Sequence, residues 1–436
     1  MTGSARGGLL RRHHDFRMLW CGETAGQFGT SVNGLAMPLV AVSTLQASTL
    51  QVGLISAFAW LPWLIIGLPA GAWVDRLRRR PVMLVSAGAS LLLFACVPVA
   101  AAAGVLGVGL LLAVALLAGS AAVFFKTAYS AYLPSILAPE DQPEGNAKLH
   151  GSASAAQIAG QGSGGLVAQW AGAVNGLSAT ASAFLISALC LLRIRHREPR
   201  VPRTGRRTGA LAAEVAAGLR LVAGDTWLRT LTLFGATSNI ALMGYQSILI
   251  AFLVREAGLS PGSVGTLIAA TGTGGVAGAF AARRVAARFG TARAMLLCQL
   301  GLPAFALLIP LTHDGPRTWF FVTGGLCVSA GVVAGNVVKA GFQQRYCPPE
   351  LLGRVSASTA FLNFGALPPG ALLGGMLGAA LGLREAMWIM TAGVPLAALI
   401  LLFSPVGRVR DLPTSRTGPV LGAEGTSRKE SPPHPR

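Results

Sequence analysis

GAWVDRLRRRP, residues Gly71 to Pro81, places one acid and four arginines within six positions. Roughly twenty apolar residues precede it and roughly twenty follow, each run long enough to cross a bilayer as a helix. A charged knot between two such runs reads as a short loop held at the water boundary.

The composition fits that reading. Apolar residues make up 53% of the 436 and charged residues 12%, against about 25% charged in an ordinary globular chain. With a mean hydropathy of +0.59, the chain reads as an integral membrane protein. The 56 glycines suit helices that pack closely in a solvent offering no hydrophobic drive for their association. They follow no G-X-Y period, and Leu, Ala and Val dominate throughout, which sets collagen and low complexity aside.

A formal net charge of +19 raises the question of nucleic acid, but the placement of the charge argues against it. Lys and Arg fall in every second connection between apolar runs. One set holds Arg6, Arg11, Arg12 and Arg17, then Arg76, Arg78, Arg79 and Arg80, then Lys148, Arg193 through Arg229, Arg283, Arg284, Arg288 and Arg293, Arg345 and Arg354, and the tail from Arg408. The other holds only Arg255, Arg317 and Arg384. This is the positive-inside bias, so the basic side and both termini are expected in the cytoplasm.

The fold expected is all-α, with twelve membrane helices near 17–42, 51–74, 82–103, 107–131, 147–170, 173–194, 227–253, 262–282, 293–311, 317–341, 354–380 and 384–404. The first is no cleaved signal, being too long and carrying Glu23, Gln27 and Asn33. Kinks are expected at Pro38, Pro62, Pro98, Pro303, Pro368 and Pro369. The organisation expected is a cytoplasmic segment 1–16, a six-helix bundle 17–194, a basic linker 195–226 ending in an amphipathic helix, a second bundle 227–404, and a disordered tail 405–436. The six cysteines show no CxxC spacing, so neither a disulfide framework nor a metal site is expected.

The two bundles read as copies. At a shift of 210, Pro139 matches Pro349, Glu140 matches Glu350, and Gly160, Gly164 and Gly165 match Gly370, Gly374 and Gly375. At a shift of 207, Gly71 matches Gly278 and Arg76 matches Arg283.

Gly71, Asp75, Arg76, Arg79 and Arg80 fit G-x-x-x-D-R-x-x-R-R, which resembles the loop between helices two and three of the major facilitator superfamily. FRMLW, AYLPSILAPEDQPEGNAKL and QQRYCPPELLGRVSAS resemble its bacterial branch of siderophore and macrolide exporters. The resemblance implies a central cavity between the halves, rocker-switch alternating access and a bacterial inner membrane location. It also implies a latch in which Asp75 meets the start of helix eleven near Arg354 to Ser356, while the arginines hold nearby acids. A plainer reading makes Arg76, Arg79 and Arg80 topology charges drawn to anionic lipid. The second copy has Ala282 where the Asp would be, so its latch is expected to be degenerate.

Ionisable groups within spans are the default functional candidates. Glu23 is the only acid deep in a span, and Lys126 and Lys339 are the only bases there, so a Glu23–lysine pair near the inner mouth is possible. Gln27, Thr30 and Gly34 continue the Glu23 face. Asn33, Asn239 and Gln246, with Asn336 and Gln343 around Lys339, are further candidates for substrate contact. Such stripes can equally serve helix–helix hydrogen bonds, and the lysines can simply snorkel to headgroups. Helix five keeps the glycines of the antiporter pattern G-P-x-x-G-G but has Gln161 for its proline.

The function expected is proton-coupled export of a small, mostly apolar molecule by a monomer, with Glu23 exchanging the proton and no cofactor. An uptake permease shares every fold-level feature, and a non-transporting sensor or scaffold would need a further soluble domain. No paired carboxylates, Ser/His/Asp set or Walker motif supports an enzyme or an ATP-driven pump.

Overall fold

The computed structural model describes residues 8–74, 76–196, 198 and 208–414. They form twelve helical segments in two sets of six. The first set is α1 His14–Leu39, α2 Thr49–Ile65 continuing as Gly67–Val74, α3 Arg79–Ala102, α4 Val108–Ile136, α5 Gln142–Ala171 and α6 Ala173–Leu192. The second is α7 Thr226–Glu256, α8 Pro261–Phe289, α9 Thr291–Leu311, α10 Gly315–Tyr346, α11 Pro349–Gly365 continuing as Leu367–Leu381, and α12 Leu383–Leu402. Nine helices among the described residues are long and apolar enough to cross a membrane. The other three are α1 and α5, which are long but more polar, and α2, which breaks at Ile66.

Local chemistry sets the boundaries. Ser48 and Gln51 form a reciprocal capping box at α2, the Ser260 hydroxyl caps α8, and the Asp225 carboxylate accepts from Trp227 N and Leu228 N to start α7. Gly172 and Gly382, at φ 89° and 103°, turn the chain from α5 into α6 and from α11 into α12. Pro38 is followed by a π turn at Val40–Thr44, Pro303 opens a 3-10 stretch to Leu311, and Pro368 and Pro369 open the second piece of α11. Pro98 leaves α3 uninterrupted.

The internal repeat is visible in the packing. Within the first set α1 packs on α5 and α6, and α4 on α2 and α3; within the second α7 packs on α11 and α12, and α10 on α8 and α9. Cβ atoms built at Gly160 and Gly370 would lie 2.8 Å from the Phe28 carbonyl and 2.6 Å from the Ile240 carbonyl. Gly164 likewise lies against Val32, and Gly374 against Gly244. The register is therefore 210 between α5 and α11 and 212 between α1 and α7.

The halves meet through glycine. A Cβ at Gly165 would lie 2.6 Å from the Gly265 Cα, and one at Gly375 3.0 Å from the Gly53 Cα. These α5–α8 and α2–α11 seams lie toward the end of the bundle away from the basic loops. The apolar core follows the same division. One cluster joins both halves at that end, with Leu35 and Val40 beside Ile248 and Phe252. At the basic end the core splits, with Phe16, Met83 and Tyr132 in the first half and Leu228, Phe342 and Leu401 in the second.

Two expectations on the polar segments meet the structure differently. The linker helix forms over Thr208–Gly224, with Gly218 seated on the Arg354 carbonyl and Ser358 of α11. The tail, expected to be disordered from 405, is folded as far as 414. Arg410 and Asp411 accept from the first backbone N–H groups of α9, and Leu412 is buried. The free N–H groups of that helix start attract the acceptors, which composition alone did not reveal.

Replacing Gly165 by leucine should separate α5 from α8. The expected cost is about 1–3 kcal/mol of overpacking, read as a lower melting temperature of the purified protein than that of a Gly151→Leu control, where an added Cβ meets nothing within 4 Å.

Candidate functional site

In the first half the charged centre is built from α1 and α4. Glu23 lies nine residues into α1 and feels the charge of Lys126. The Lys126 ammonium stands 5.3 Å from the Tyr129 ring centroid, and the Tyr129 hydroxyl in turn feels Glu23. Glu23 and Lys126 make no contact within 4.0 Å among the described residues. Thr24 beside them ties α1 to α5, donating to Trp20 O and to Ser152 Oγ at 3.0 Å.

In the second half Lys339 is separate from Glu23. Its Nζ would lie 3.1 Å from a Cβ built at Gly235, and the Asn363 side-chain carbonyl reaches the same place from α11. Asn363 Oδ1 is buried without a hydrogen-bond partner, while Asn239 donates to the Asn363 backbone carbonyl at 3.1 Å. Asn239 therefore serves a helix–helix bond. Thr30, Gln246 and Asn336 are exposed, Gln27 and Gln343 half-buried, and Asn33 carries a second buried carbonyl without a partner. Of the helix-five glycines, Gly160 and Gly164 pack on α1 and Gly165 on α8.

Asp75 lies outside the described residues, so its expected contact with α11 does too. Gly71 is half-buried, and Arg76 and Arg354 are exposed. The last two arginines of the opening stretch bind protein. Arg79 N and Arg80 N donate to Glu198 Oε2 at 2.6 and 3.3 Å, and Arg79 Nη1 lies 3.9 Å from Glu198 Oε1. Arg80 caps α6 through Leu191 O at 3.1 Å and Leu192 O at 2.8 Å. A carboxylate at the α3 N-terminus is favoured by the helix dipole.

Sequence reasoning missed three sets of residues. Arg255 at the end of α7 crosses to the first half, donating to Val42 O at 3.2 Å and Ala47 O at 2.8 Å. Its isolation on the arginine-poor side was the available signal. Trp60 and Trp63 of α2 meet Phe364 of α11, with ring centroids 6.3 and 5.1 Å apart, between the glycine seam and the basic end. Glu198 had only its position within a basic linker to mark it.

The basic end of the first half is bound together by acids. Asp15 Oδ1 accepts from Arg195 N at 2.9 Å, Asp141 lies 3.7 Å from Arg12 and 3.4 Å from His13, and Glu144 accepts from Leu9 N. Burial pushes the Asp15 carboxyl up, but hydrogen bonds from Arg195 N, His14 and His196 N outweigh it and leave the group below its ordinary value.

Two six-helix bundles related by an internal repeat are the architecture that the sequence suggested. Residues 19–366, and again 232–430, match the family model of the Major Facilitator Superfamily. The chain belongs to that superfamily. It is similar to the multidrug efflux pump Tap of Mycolicibacterium fortuitum, 29% identical over 420 residues that span 94% of this chain and 98% of that one. Tap of Mycobacterium bovis is 28% identical over 398 residues, 88% and 92% of the two chains. Among solved structures, a bacterial homologue of the iron transporter ferroportin in an inward-facing state superposes at a TM-score of 0.72 with 15% identity, over 91% of this chain and 99% of that one. The nucleoside transporter NupG superposes at 0.70 with 12% identity, over 89% and 98%. At these identities the structures share the superfamily fold alone.

The Asp15 bonds give a stability with a definite sign in pH. Because its folded pKa is lowered, the unfolded chain takes up the proton first; the contribution is complete above the ordinary carboxylate value and is lost as pH falls through the folded one. The melting-temperature gap between the wild type and Asp15→Asn should therefore be widest near neutrality and close below about pH 4.

Proposed function

We propose that this protein exports a small, mostly apolar molecule across the bacterial inner membrane by proton-coupled alternating access. The observation that carries the reading is the one-sided closure: the core is joined at the arginine-poor end and divided at the basic end. With the basic side in the cytoplasm, this is an inward-open state ready to load from within. The similarity to Tap pumps supports drugs or secondary metabolites as cargo. The cavity walls offer little fixed charge, which disfavours a highly charged cargo such as a sugar phosphate.

Glu23 is the group we assign to proton exchange. It is the only carboxylate deep in a span, and Lys126 stands near it without holding it in a direct pair among the described residues. Asp75, by its resemblance to the superfamily latch, would close the basic end when the cavity faces outward. Arg255 acts at the other end, because its bonds to Val42 O and Ala47 O must break before the halves can part there.

In proteoliposomes with an imposed proton gradient, Glu23→Gln should abolish uphill movement of a dye exported by the wild type while leaving downhill exchange. Full-rate uphill transport by Glu23→Gln that still responds to pH would remove Glu23 from the coupling. Net movement of every compound toward the basic side would instead favour an uptake permease. Arg255→Ala should favour the outward-open state by about 1 kcal/mol, roughly fivefold in population after solvent screening. A membrane-impermeant thiol reagent reacting with Leu50→Cys from outside, in a background without the native cysteines, checks this.

A further inference from the structure

Along α8 the residues that meet α5 recur at helical spacing. Gly262 lies against the Gln169 side chain, and a Cβ built at Gly265 would lie 2.6 Å from the Gly165 Cα. One at Gly162 would lie 3.5 Å from the Ala269 Cβ, and one at Gly272 3.5 Å from the Ile158 side chain. The series 262, 265, 269 and 272 continues on the same face as 276, 279 or 280, and 283. There the contact stops. Val276 is 40% and Phe280 73% exposed, and Arg283 and Arg284 are exposed beyond them. The matching face of α5 runs on from Ile158 to Ala155 and Gly151, both exposed, and a Cβ added at Gly151 meets nothing within 4 Å. The other face of α8 stays packed throughout: Gly274 and Gly278 lie on the Leu326 and Ala330 carbonyls of α10, and Ala282 is buried. The α5–α8 seam is thus zipped at one end and parted toward the basic end. The α2–α11 seam is closed further down, where Leu64 lies on Gly365 and Trp60 and Trp63 on Phe364.

An aromatic ring so exposed is costly in water and well placed against an acyl chain. At 1.5 Å per residue, Arg283 stands about 31 Å along α8 from Gly262, the thickness of the hydrocarbon core. Arg283 and Arg284 therefore lie at the headgroups of the leaflet on the basic side. Neither has an acid partner among the described residues, whereas Arg79 and Arg80 of the first half are held by Glu198 and the α6 carbonyls. Glu144, at the basic end of α5, is already engaged by Lys148 and Leu9 N. We propose that the parted stretch of the α5–α8 seam is a binding site for an anionic phospholipid, its phosphate on Arg283 and Arg284 and an acyl chain along Phe280 and Val276. Ala155 and Gly151 form the facing wall. Zipping the seam at the basic end would expel the chain, so the bound lipid favours the state in which that end is parted. The site holds whichever way the cargo moves.

The full-length protein in detergent is titrated with phosphatidylglycerol, or with phosphatidylcholine of the same chains, and binding of the first lipid is followed by native mass spectrometry. The wild type should hold phosphatidylglycerol about tenfold more tightly than phosphatidylcholine, the scale of arginine attraction to an anionic headgroup. The double variant Arg283→Gln, Arg284→Gln should bring the ratio to about one, and Arg283→Lys, Arg284→Lys should keep it. Ala155→Trp, which fills the cleft and leaves the charges in place, should weaken phosphatidylglycerol about tenfold. Equal affinity for the two lipids in the wild type, a preference that survives the glutamine pair, or no effect of Ala155→Trp would each overturn the proposal. Displacement of the lipid by glycerol phosphate at comparable concentration would overturn it as well, since the arginines would then be binding a free phosphate without the chain.

Discussion

The bare backbone contact of glycine on glycine between the halves is the constraint on which the rest of the structure depends. Gly165 against Gly265 and Gly53 against Gly375 bring helices closer than any side chain would allow. In a lipid solvent, close approach and dispersion replace the hydrophobic drive that would join two soluble domains. Because both seams lie toward the same end, the halves converge there and diverge at the other. The cavity is what remains between them. The divided core, the exposed face of Thr30 and Asn336 and the separation of Glu23 from Lys339 all follow from that wedge.

Electrostatics then distinguishes the two ends. At the basic end Arg79 and Arg80 meet acceptors on the first half and the adjoining start of the linker, through the α6 carbonyls and Glu198. At the opposite end Arg255 reaches across to the other half, while Arg384 stays within the second through Pro310 O and Glu256. Charges that bind within one half stiffen it, while charges that bind between halves select a conformational state.

Much of the fold was legible because its determinants are local or periodic. Span length, the alternation of arginine-rich connections and the glycine repeat at 210 are visible without coordinates, and they led to the right family. The site was less legible, since its contacts join residues far apart in the chain. Nothing near Gly235 in sequence announces Asn363 and Lys339, and Arg255 finds its partners more than 200 residues away. The polar residues of the spans also divide in a way that residue type cannot foresee. Asn239 is spent on a helix–helix bond, whereas Asn363, which the sequence reading passed over, keeps an open acceptor. The ordered stretch 405–414 was hidden for the same reason, its partner being the start of α9.

Glu198 and Gly218 have a mechanical consequence. The first fastens the beginning of the linker to the N-terminus of α3, and the second seats the linker helix on α11. Between these anchors run residues 199–207, which extend to about 35 Å at most, and the linker helix up to Gly218, which adds about 15 Å. The linker is therefore a leash of fixed reach, and it sets an upper stop on how wide the cytoplasmic mouth can gape, whatever the size of the molecule inside.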